Sequence, residues 1–137
     1  MEITTTLIII IITSLVSFTA FSNDKIMNDL IFYPPAVQRG QWYRFFSCGL
    51  LHADIGHLAF NMLTLYFFGG GVENNFEALF GKYGKLIYLG MYILALGACL
   101  LPTYGKNKDN YHYRSLGASG AVSAVVFSSI LFNPLRG

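Results

Sequence analysis

The sequence predicts an all-α polytopic membrane protein, and three observations carry that prediction. The 137 residues are 54% hydrophobic and 12% charged, and the mean hydropathy of +0.50 is too high for an ordinary soluble domain of this length. The charged residues are clustered, so long uncharged runs separate them. Many of the tyrosines and phenylalanines lie near the ends of these runs, as in the aromatic belts of membrane interfaces. A lipid bilayer is therefore the predicted environment.

Four apolar runs are candidates to cross about 30 Å of hydrocarbon as helices. They cover about residues 3–21, 51–71, 86–101 and 117–132. The first is not a typical signal peptide, because Glu2 stands where a basic residue is usual and no small-residue cleavage site follows. Gly69–Gly71 is expected to close the second run, Pro102 the third and Asn133–Pro134 the fourth.

A connector of about residues 23–50 separates the first two runs. It contains the helix-breaking pair Pro34–Pro35, and Trp42 and Arg44 add aromatic and cationic character. This composition predicts a structured, partly embedded loop at the outer interface. With the amino terminus inside, the outer loops would hold more basic residues than the inner ones, and the positive-inside rule prefers the reverse. The charges alone leave the orientation open.

Composition also argues against two kinds of partner. A net charge of +2 without a basic helix does not indicate nucleic-acid binding. Cys48 and Cys99 lie far apart and the three histidines are dispersed, so no local spacing is typical of a metal site. No metal, organic cofactor or nucleic acid is predicted.

His57 and Asn61 lie four residues apart in the second run, so they share one face of the predicted helix. Both can donate hydrogen bonds, and strongly polar groups at membrane depth are functional candidates because they cost free energy there. Two donors aimed at one point can stabilise a developing oxyanion by about 3 kcal/mol each. The alternative for this pair is hydrogen bonding that holds neighbouring helices together.

Ser119 lies at the start of the fourth run, between Gly117 and Gly120. The glycines are expected to leave its hydroxyl and backbone accessible, and N–H groups at a helix start lack intrahelical partners. Ser119 is therefore a candidate nucleophile whose own amide is a third oxyanion donor. Gly120, Ala124 and Ser128 also recur every four residues, which predicts a tightly packed partner helix. Taken alone, the glycines fit that packing role too.

These motifs together resemble the rhomboid intramembrane serine proteases. The resemblance runs through Trp42 and Arg44, the segment 52–61, the segment 69–73 and the segment 117–120. Their order and spacing make it specific, and it covers essentially the whole chain from the first helix onward. It implies a rhomboid-like helical bundle that cleaves transmembrane segments of other proteins.

The resemblance also implies individual roles at the site. Ser119 corresponds to the nucleophile, and His57 and Asn61 correspond to the side chains of the oxyanion hole. The family places the amino terminus in the cytoplasm and the first loop outside. We adopt this multi-pass orientation over the charge count, because a large structured outer loop reports topology poorly.

Other matching residues have supporting roles in the resemblance. His52 corresponds to a histidine above the site, and Glu73 to a buried carboxylate that ties the end of the second helix to its surroundings. Trp42 and Arg44 correspond to a structural pair in the first loop.

Rhomboids use a Ser–His dyad, and the base is a histidine of a sixth helix. The sequence given ends at Gly137, so the resemblance implies a bundle truncated after the fourth transmembrane helix. We expect the 137-residue chain alone to be inactive, because a serine hydroxyl needs an adjacent base. His112 lies in the loop before Ser119, but nothing in the sequence holds its ring there. Marginal stability is also expected, because the partner helix of the small-residue repeat would be missing.

Two alternatives from other classes remain. A rhomboid-like pseudoprotease would bind membrane helices without cutting them, although it would have little need for Ser119, His57 and Asn61 together. A small transporter or channel subunit would need a polar stripe along several helices, whereas the sequence shows isolated polar points. The substrate and the oligomeric state are not predicted.

Overall fold

The computed structural model describes residues 4–132, and the regular structure of these residues is helical. Two short 3-10 helices, Cys48–Leu50 and Gly81–Tyr83, and an isolated bridge between Phe32 and Ser115 accompany the α-helices. In chain order the α-helices are α1 (Thr5–Phe21), α2 (Asp24–Leu30), α3 (Pro34–Gln38), α4 (Arg44–Ser47), α5 (Ile55–Phe80), α6 (Gly84–Ala98), α7 (Leu101–Asn107) and α8 (Ser119–Phe132). The predicted all-α class is confirmed for this part of the chain.

The start of α1 is held by a local cap and by a distant carboxylate. The Thr4 hydroxyl accepts a hydrogen bond from the Leu7 N–H at 3.1 Å. The Glu73 carboxylate on α5 accepts the backbone N–H groups of Thr5 and Thr6, each at 2.9 Å. These bonds satisfy N–H groups that a helix start leaves without intrahelical partners, and a negative charge is favourable at that end of the helix dipole. The first turn of α1 is thereby attached to α5.

The sequence-based end of the second run is wrong, because α5 continues through Gly69–Gly71. A Cβ atom at Gly69 would lie 2.5 Å from Thr6 Cγ2 and 2.9 Å from Tyr88 Oη. The absence of a side chain there lets α1 and α6 pack close to the α5 backbone, so this glycine serves helix contact rather than termination. The helix ends at Phe80, and the next residue, Gly81, has a φ of +62° that favours glycine.

Two further predicted boundaries are wrong for local reasons. The second run becomes helical at Ile55 rather than at residue 51, because Asp54 caps the helix by accepting the His57 N–H at 2.8 Å. Pro102 does not end the third run. α6 ends at Ala98, and Pro102 lies in the first turn of α7, where a missing N–H costs no hydrogen bond.

The fourth predicted run, 117–132, contains α8, which begins at Ser119. The described part of the helix reaches Phe132. The predicted stop at Asn133–Pro134 and the predicted start of the first run at Ile3 lie outside the described residues.

The core forms where α5 packs against α1, α6 and α8, and where α6 packs against α8. Its buried side chains include Ile9, Leu58, Met62, Leu65, Val72, Tyr88, Tyr92, Leu96, Ala121, Val122 and Val125. A Cβ atom at Gly120 would collide with Cys99 Sγ, next to the end of α6. The partner helix at this end of the small-residue repeat is therefore α6, and the expectation that the partner is missing is wrong there.

Residues 24–50 form α2, α3, α4 and a short 3-10 helix rather than an irregular linker. Phe32, Val37, Phe45 and Cys48 make a second buried cluster, against which Leu100, Tyr104 and Tyr113 pack. Arg44 is only 7% exposed, and its guanidinium donates to the carbonyl oxygens of Asn28 and Ile31 at 2.8 and 2.7 Å. These contacts connect α4 to the end of α2.

Large apolar side chains cover much of the helical surface. Leu15, Phe60, Phe67, Leu94 and Leu131 are each at least 65% exposed. Within residues 4–132, the helical stretch Ile55–Asn107 has the length and hydropathy to cross a membrane, since an 18-residue window in it has a mean hydropathy of 1.9. The apolar helices Thr5–Phe21 and Ser119–Phe132 are shorter. Exposed apolar surface of this extent is unfavourable in water and favourable in lipid.

Candidate active site

A cavity of about 870 Å³ lies between α5 and α8, and Ser119, His57 and Asn61 all line it. Its other lining residues are Asp54, Gly56, Phe60, Thr64, Phe68, Val122, Ser123, Val126, Phe127 and Ile130. The polar groups concentrate where α5 and α8 begin, and the far wall is apolar. The structure thus brings the predicted nucleophile and both predicted oxyanion-binding side chains to one space.

Ser119 is the first residue of α8 and is exposed. The turn that leads to it depends on Gly117, whose φ of +110° strongly favours glycine and whose N–H donates to the Cys48 carbonyl at 2.9 Å. The helical hydrogen bonds begin with the Val122 N–H, which donates to the Ala118 carbonyl at 2.9 Å. The Ser119 N–H lies before the first of these bonds, so it has no acceptor within the helix.

The orientation of the His57 ring is set by Asp54. The Asp54 Oδ1 atom accepts both the His57 backbone N–H at 2.8 Å and the ring Nδ1 at 3.0 Å. These hydrogen bonds hold the pKa of the Asp54 carboxyl below its ordinary value. Because an ionised carboxylate only accepts hydrogen bonds, Nδ1 must carry a proton, and Nε2 is the ring nitrogen left for another partner.

This assignment determines what His57 can do at an oxyanion. In the neutral ring, Nε2 is an acceptor and would repel the negative oxygen. In the imidazolium form, Nε2–H is a donor and the Asp54 carboxylate balances the positive charge. The sequence predicted His57 as a donor, and with Asp54 in place that function requires the protonated ring.

Asn61 is 7% exposed and takes part in a buried polar network. Its Nδ2 atom lies 2.9 Å from His52 Nε2. The other ring nitrogen of His52, Nδ1, lies 3.1 Å from the Ser17 hydroxyl on α1. His52 is 1% exposed and precedes α5, so the structure places it beside Asn61 and away from the cavity wall.

The two glycines that flank Ser119 have different functions. Gly117 makes the turn before α8 possible. The Cα atom of Gly120 faces Cys99, so a side chain at this position would collide with Cys99 Sγ. Gly120 therefore serves the contact between α6 and α8, and it does not clear space beside the Ser119 hydroxyl as the sequence suggested.

Glu73 lies far from the cavity, 12 residues beyond Asn61 on α5, which is about 18 Å along a helix. It is 1% exposed and accepts hydrogen bonds from the Thr6 hydroxyl at 2.9 Å and from Lys85 Nζ at 2.7 Å. Together with the backbone bonds from α1, these contacts join α1, α5 and α6. The position suits a structural function.

Trp42 and Arg44 also lie outside the cavity lining. The Trp42 side chain is 64% exposed and stacks on Phe45, with ring centroids 6.1 Å apart. The Arg44 guanidinium lies 5.5 Å from the Tyr43 ring centroid. The two residues make separate contacts within the loop between α1 and α5.

Comparison with known families identifies the family of the chain. The family model described as Rhomboid domain matches residues 39–136, which include the α5 and α8 residues of the cavity. The chain belongs to the rhomboid family. The rhomboid match also covers α6 and α7, so it extends through the helices that hold α5 and α8 in place.

Several curated rhomboid sequences are similar to the chain. RHOMBOID-like protein 12, mitochondrial, of Arabidopsis thaliana is 28% identical in an alignment 127 residues long that covers 87% of this chain and 38% of that protein. Rhomboid protease AarA of Providencia stuartii is 32% identical in an alignment 105 residues long that covers 68% of this chain and 35% of the relative. Rhomboid protease GlpG of Enterobacter sp. (strain 638) is 31% identical in an alignment 105 residues long that covers 77% of this chain and 32% of that protein. The chain spans about a third of the length of these relatives.

Family membership makes this rhomboid chain an integral membrane protein, in agreement with its exposed apolar surface. Within the described range 4–132, no group of three or more histidine, cysteine, aspartate or glutamate side chains is arranged to hold a metal ion.

Two residues that position the candidate site were missed by sequence reasoning. Asp54 has a signal that was available, because an acidic residue directly before an apolar helix is a typical N-cap. Ser17 has no such signal, because nothing in the first apolar run distinguishes it from its neighbouring serine and threonines. Its contact with His52 depends on how α1 packs beside the start of α5.

Proposed function

We propose that this chain carries the nucleophile and the oxyanion-binding groups of an intramembrane serine endopeptidase that cleaves transmembrane segments. One observation carries the proposal, namely that Ser119, His57 and Asn61 line the same cavity between α5 and α8. Two of the similar rhomboids bear the name rhomboid protease, which supports the same reaction class.

In the proposed reaction the Ser119 hydroxyl attacks a peptide carbonyl of the substrate. A general base takes the hydroxyl proton, and the resemblance to rhomboids implies a histidine of the full-length protein outside residues 4–132. Among the described histidines, His57 lines the cavity. We propose that its ring binds the oxyanion and therefore does not act as the base. The base returns the hydroxyl proton to the leaving amine as the peptide C–N bond breaks, which leaves an acyl-enzyme on Ser119. Water then hydrolyses the ester and releases the second product, and the hydroxyl of Ser119 is restored.

Three N–H groups would stabilise the negative oxygen of the tetrahedral intermediate. They are the Ser119 backbone N–H, the second N–H of the Asn61 amide and the Nε2–H of protonated His57. In a site shielded from water each donor contributes about 3 kcal/mol, because it is already oriented when the charge develops. The lining of the cavity is mostly apolar, which lowers the local polarity around these donors.

The proposed substrate is a membrane helix that unwinds easily beside the cavity. A regular helix keeps its carbonyls in internal hydrogen bonds, so attack requires local unwinding. The chain is proposed to be multi-pass, with the amino terminus and the Glu73 end of α5 in the cytoplasm. The Ser119 end of the cavity then faces the outer side, from which water enters.

A matched pair of serine variants of the full-length protein tests the proposal. Ser119 and Ser123 both line the cavity, one helical turn apart. Ser119→Ala should abolish cleavage of a model transmembrane substrate in proteoliposomes, and Ser123→Ala should retain cleavage. A fluorophosphonate should label the wild type and the Ser123→Ala variant but not Ser119→Ala.

Two outcomes would contradict the proposal. Cleavage that persists in Ser119→Ala would exclude Ser119 as the nucleophile. Substrate binding by the wild type without cleavage or labelling would favour the alternative, a rhomboid-like protein that binds membrane helices without catalysis.

A further inference from the structure

A row of buried hydrogen bonds extends from α1 to the cavity. The Ser17 hydroxyl donates to the Leu50 carbonyl at 2.6 Å and lies 3.1 Å from His52 Nδ1. On the other side of the ring, His52 Nε2 lies 2.9 Å from Asn61 Nδ2. Ser17, His52 and Asn61 are 0%, 1% and 7% exposed, so water does not compete for these bonds.

The hydrogen atoms in this row can be arranged in one consistent direction. A carbonyl only accepts, so the single hydroxyl hydrogen of Ser17 is committed to Leu50. The Ser17 oxygen therefore accepts from His52 Nδ1–H. The neutral ring then has a lone pair on Nε2, which accepts one N–H of the Asn61 amide. Each donor meets one acceptor without any buried charge.

We propose that Ser17 and His52 are positioning residues that act through Asn61 and aim its second amide N–H into the cavity. The inference rests on the proposed function, because the aimed N–H is the one that would bind the oxyanion. The terminal torsion of an asparagine side chain is soft, so the amide needs a partner to keep one orientation. The bond to His52 Nε2 supplies that partner, and Ser17 selects the His52 tautomer that can accept it.

The geometry separates this function from simple packing. His52 has little exposed surface and lies outside the cavity lining, so its expected effect on the reaction passes through Asn61. Ser17 lies on a different helix from Asn61. The substitution Ser17→Ala removes one oxygen atom and leaves the side-chain volume nearly unchanged. A packing contact would tolerate that change, whereas the tautomer preference of His52 would be lost.

The test measures cleavage kinetics of the full-length protein with Ser17→Ala, His52→Ala and Asn61→Ala, alone and combined. Removing one oxyanion donor costs about 10²–10³ in kcat, and losing its orientation should cost about tenfold. Ser17→Ala and His52→Ala should therefore lower kcat about tenfold with little change in KM. In the Asn61→Ala background neither should lower kcat further.

Two control variants isolate the hydroxyl of Ser17. Ser17→Thr keeps a hydroxyl at the position and should retain most of the wild-type kcat. Thr13 lies one turn earlier on α1 and is 1% exposed, and Thr13→Val removes a buried hydroxyl that is not in the row. Thr13→Val should leave kcat unchanged.

Equal losses of kcat from Ser17→Ala in the wild-type and Asn61→Ala backgrounds would overturn the inference, and so would a wild-type kcat in Ser17→Ala. Absence of any cleavage dependent on Ser119 would instead contradict the proposed function. Thermal unfolding tests the row of hydrogen bonds independently of activity. The stability effects of substitutions at residues connected by hydrogen bonds are not additive, because each substitution removes part of the same interaction. The losses of Tm from Ser17→Ala and Asn61→Ala should be less than additive, and additive losses would refute the connection.

Discussion

Asp54 and His57 share two hydrogen bonds within the first turn of α5, both accepted by the same carboxylate oxygen at 2.8 and 3.0 Å. One bond starts the helix and the other fixes the imidazole ring. The residue that determines where α5 begins therefore also determines which nitrogen of His57 faces a partner in the cavity. The helix cap and the proposed support of the His57 ring are combined in one side chain.

The first prediction concerns catalysis by the Asp54–His57 pair. Asp54→Asn keeps an oxygen that can cap α5 but removes the negative charge that balances protonated His57. The kcat for a model transmembrane substrate should fall about tenfold, less than the loss expected for deletion of a whole oxyanion donor. Cleavage kinetics of the full-length protein in proteoliposomes would measure it.

A control for this prediction is Asp29→Asn, which neutralises another exposed aspartate whose partner is Lys25. Its kcat should equal that of the wild type. Asp54→Asn should also have no further effect in a His57→Ala background, and a full additional loss there would show that Asp54 acts independently of His57.

The second prediction is a dependence of stability on pH. The hydrogen bonds from His57 lower the pKa of Asp54 from its ordinary value of 3.8. An Asp with a lowered pKa stabilises the folded state above its unfolded pKa, and this contribution is lost as the pH falls through the folded value. The wild type should therefore have a higher Tm than Asp54→Asn at pH 7, and the difference should shrink as the pH approaches 3.

Thermal unfolding of both proteins in mild detergent between pH 7 and pH 3 would follow this difference. A gap in Tm that stays constant across the range, or that grows toward acid, would show that the Asp54 carboxylate does not stabilise the fold.

The third prediction compares two adjacent glycines in α5. A Cβ atom at Gly69 would lie 2.5 Å from Thr6 Cγ2, whereas one at Gly70 would meet no atom within 4 Å. Gly69→Ala should destabilise the protein by about 1–3 kcal/mol, the usual cost of overpacking. Gly70→Ala should be neutral or should stabilise by up to about 1 kcal/mol, because alanine favours helix. Unfolding free energies of the two variants measure the contrast, and equal effects would refute the close packing of α1 on α5.

The fourth prediction compares two carboxylates that bind Lys85. Glu73 is 1% exposed and lies 2.7 Å from Lys85 Nζ, while the side chain of Glu77 is 38% exposed and lies 2.9 Å from it. Glu73→Gln leaves α1 without its capping charge and should cost about 3 kcal/mol of unfolding free energy. Glu77→Gln should cost less than about 1 kcal/mol, as is usual for partly exposed pairs.

Unfolding free energies of both variants at low and high salt would further distinguish the buried pair of Glu73 from the partly exposed pair of Glu77. Salt should reduce the small Glu77 effect and leave the Glu73 effect nearly unchanged, because a buried pair is screened less. A Glu73→Gln variant as stable as the wild type would exclude the structural function that its contacts indicate.

The sequence by itself determined the helical class and three of the polar residues that line the cavity, namely Ser119, His57 and Asn61. His57 and Asn61 fall on one face because four residues make about one helical turn, and this local rule holds wherever the helix forms. Ser119 begins α8 after a glycine with positive φ, which is also a local effect. Two of the wrong boundaries had local causes too, since Asp54 and Pro102 are residue types that start helices.

Only the tertiary structure decided which distant residues support the site. Ser17 and His52 are 35 residues apart, and Thr6 and Glu73 are 67 apart, so their hydrogen bonds depend on how α1 packs along α5. Gly69 resembles a helix end in the sequence, but the close approach of α1 and α6 makes it a contact point. Local sequence patterns specify which side chains lie on one face of a helix. Packing between helices specifies which distant residues contact those side chains, because the arrangement of the helices depends on the free energy of the whole bundle.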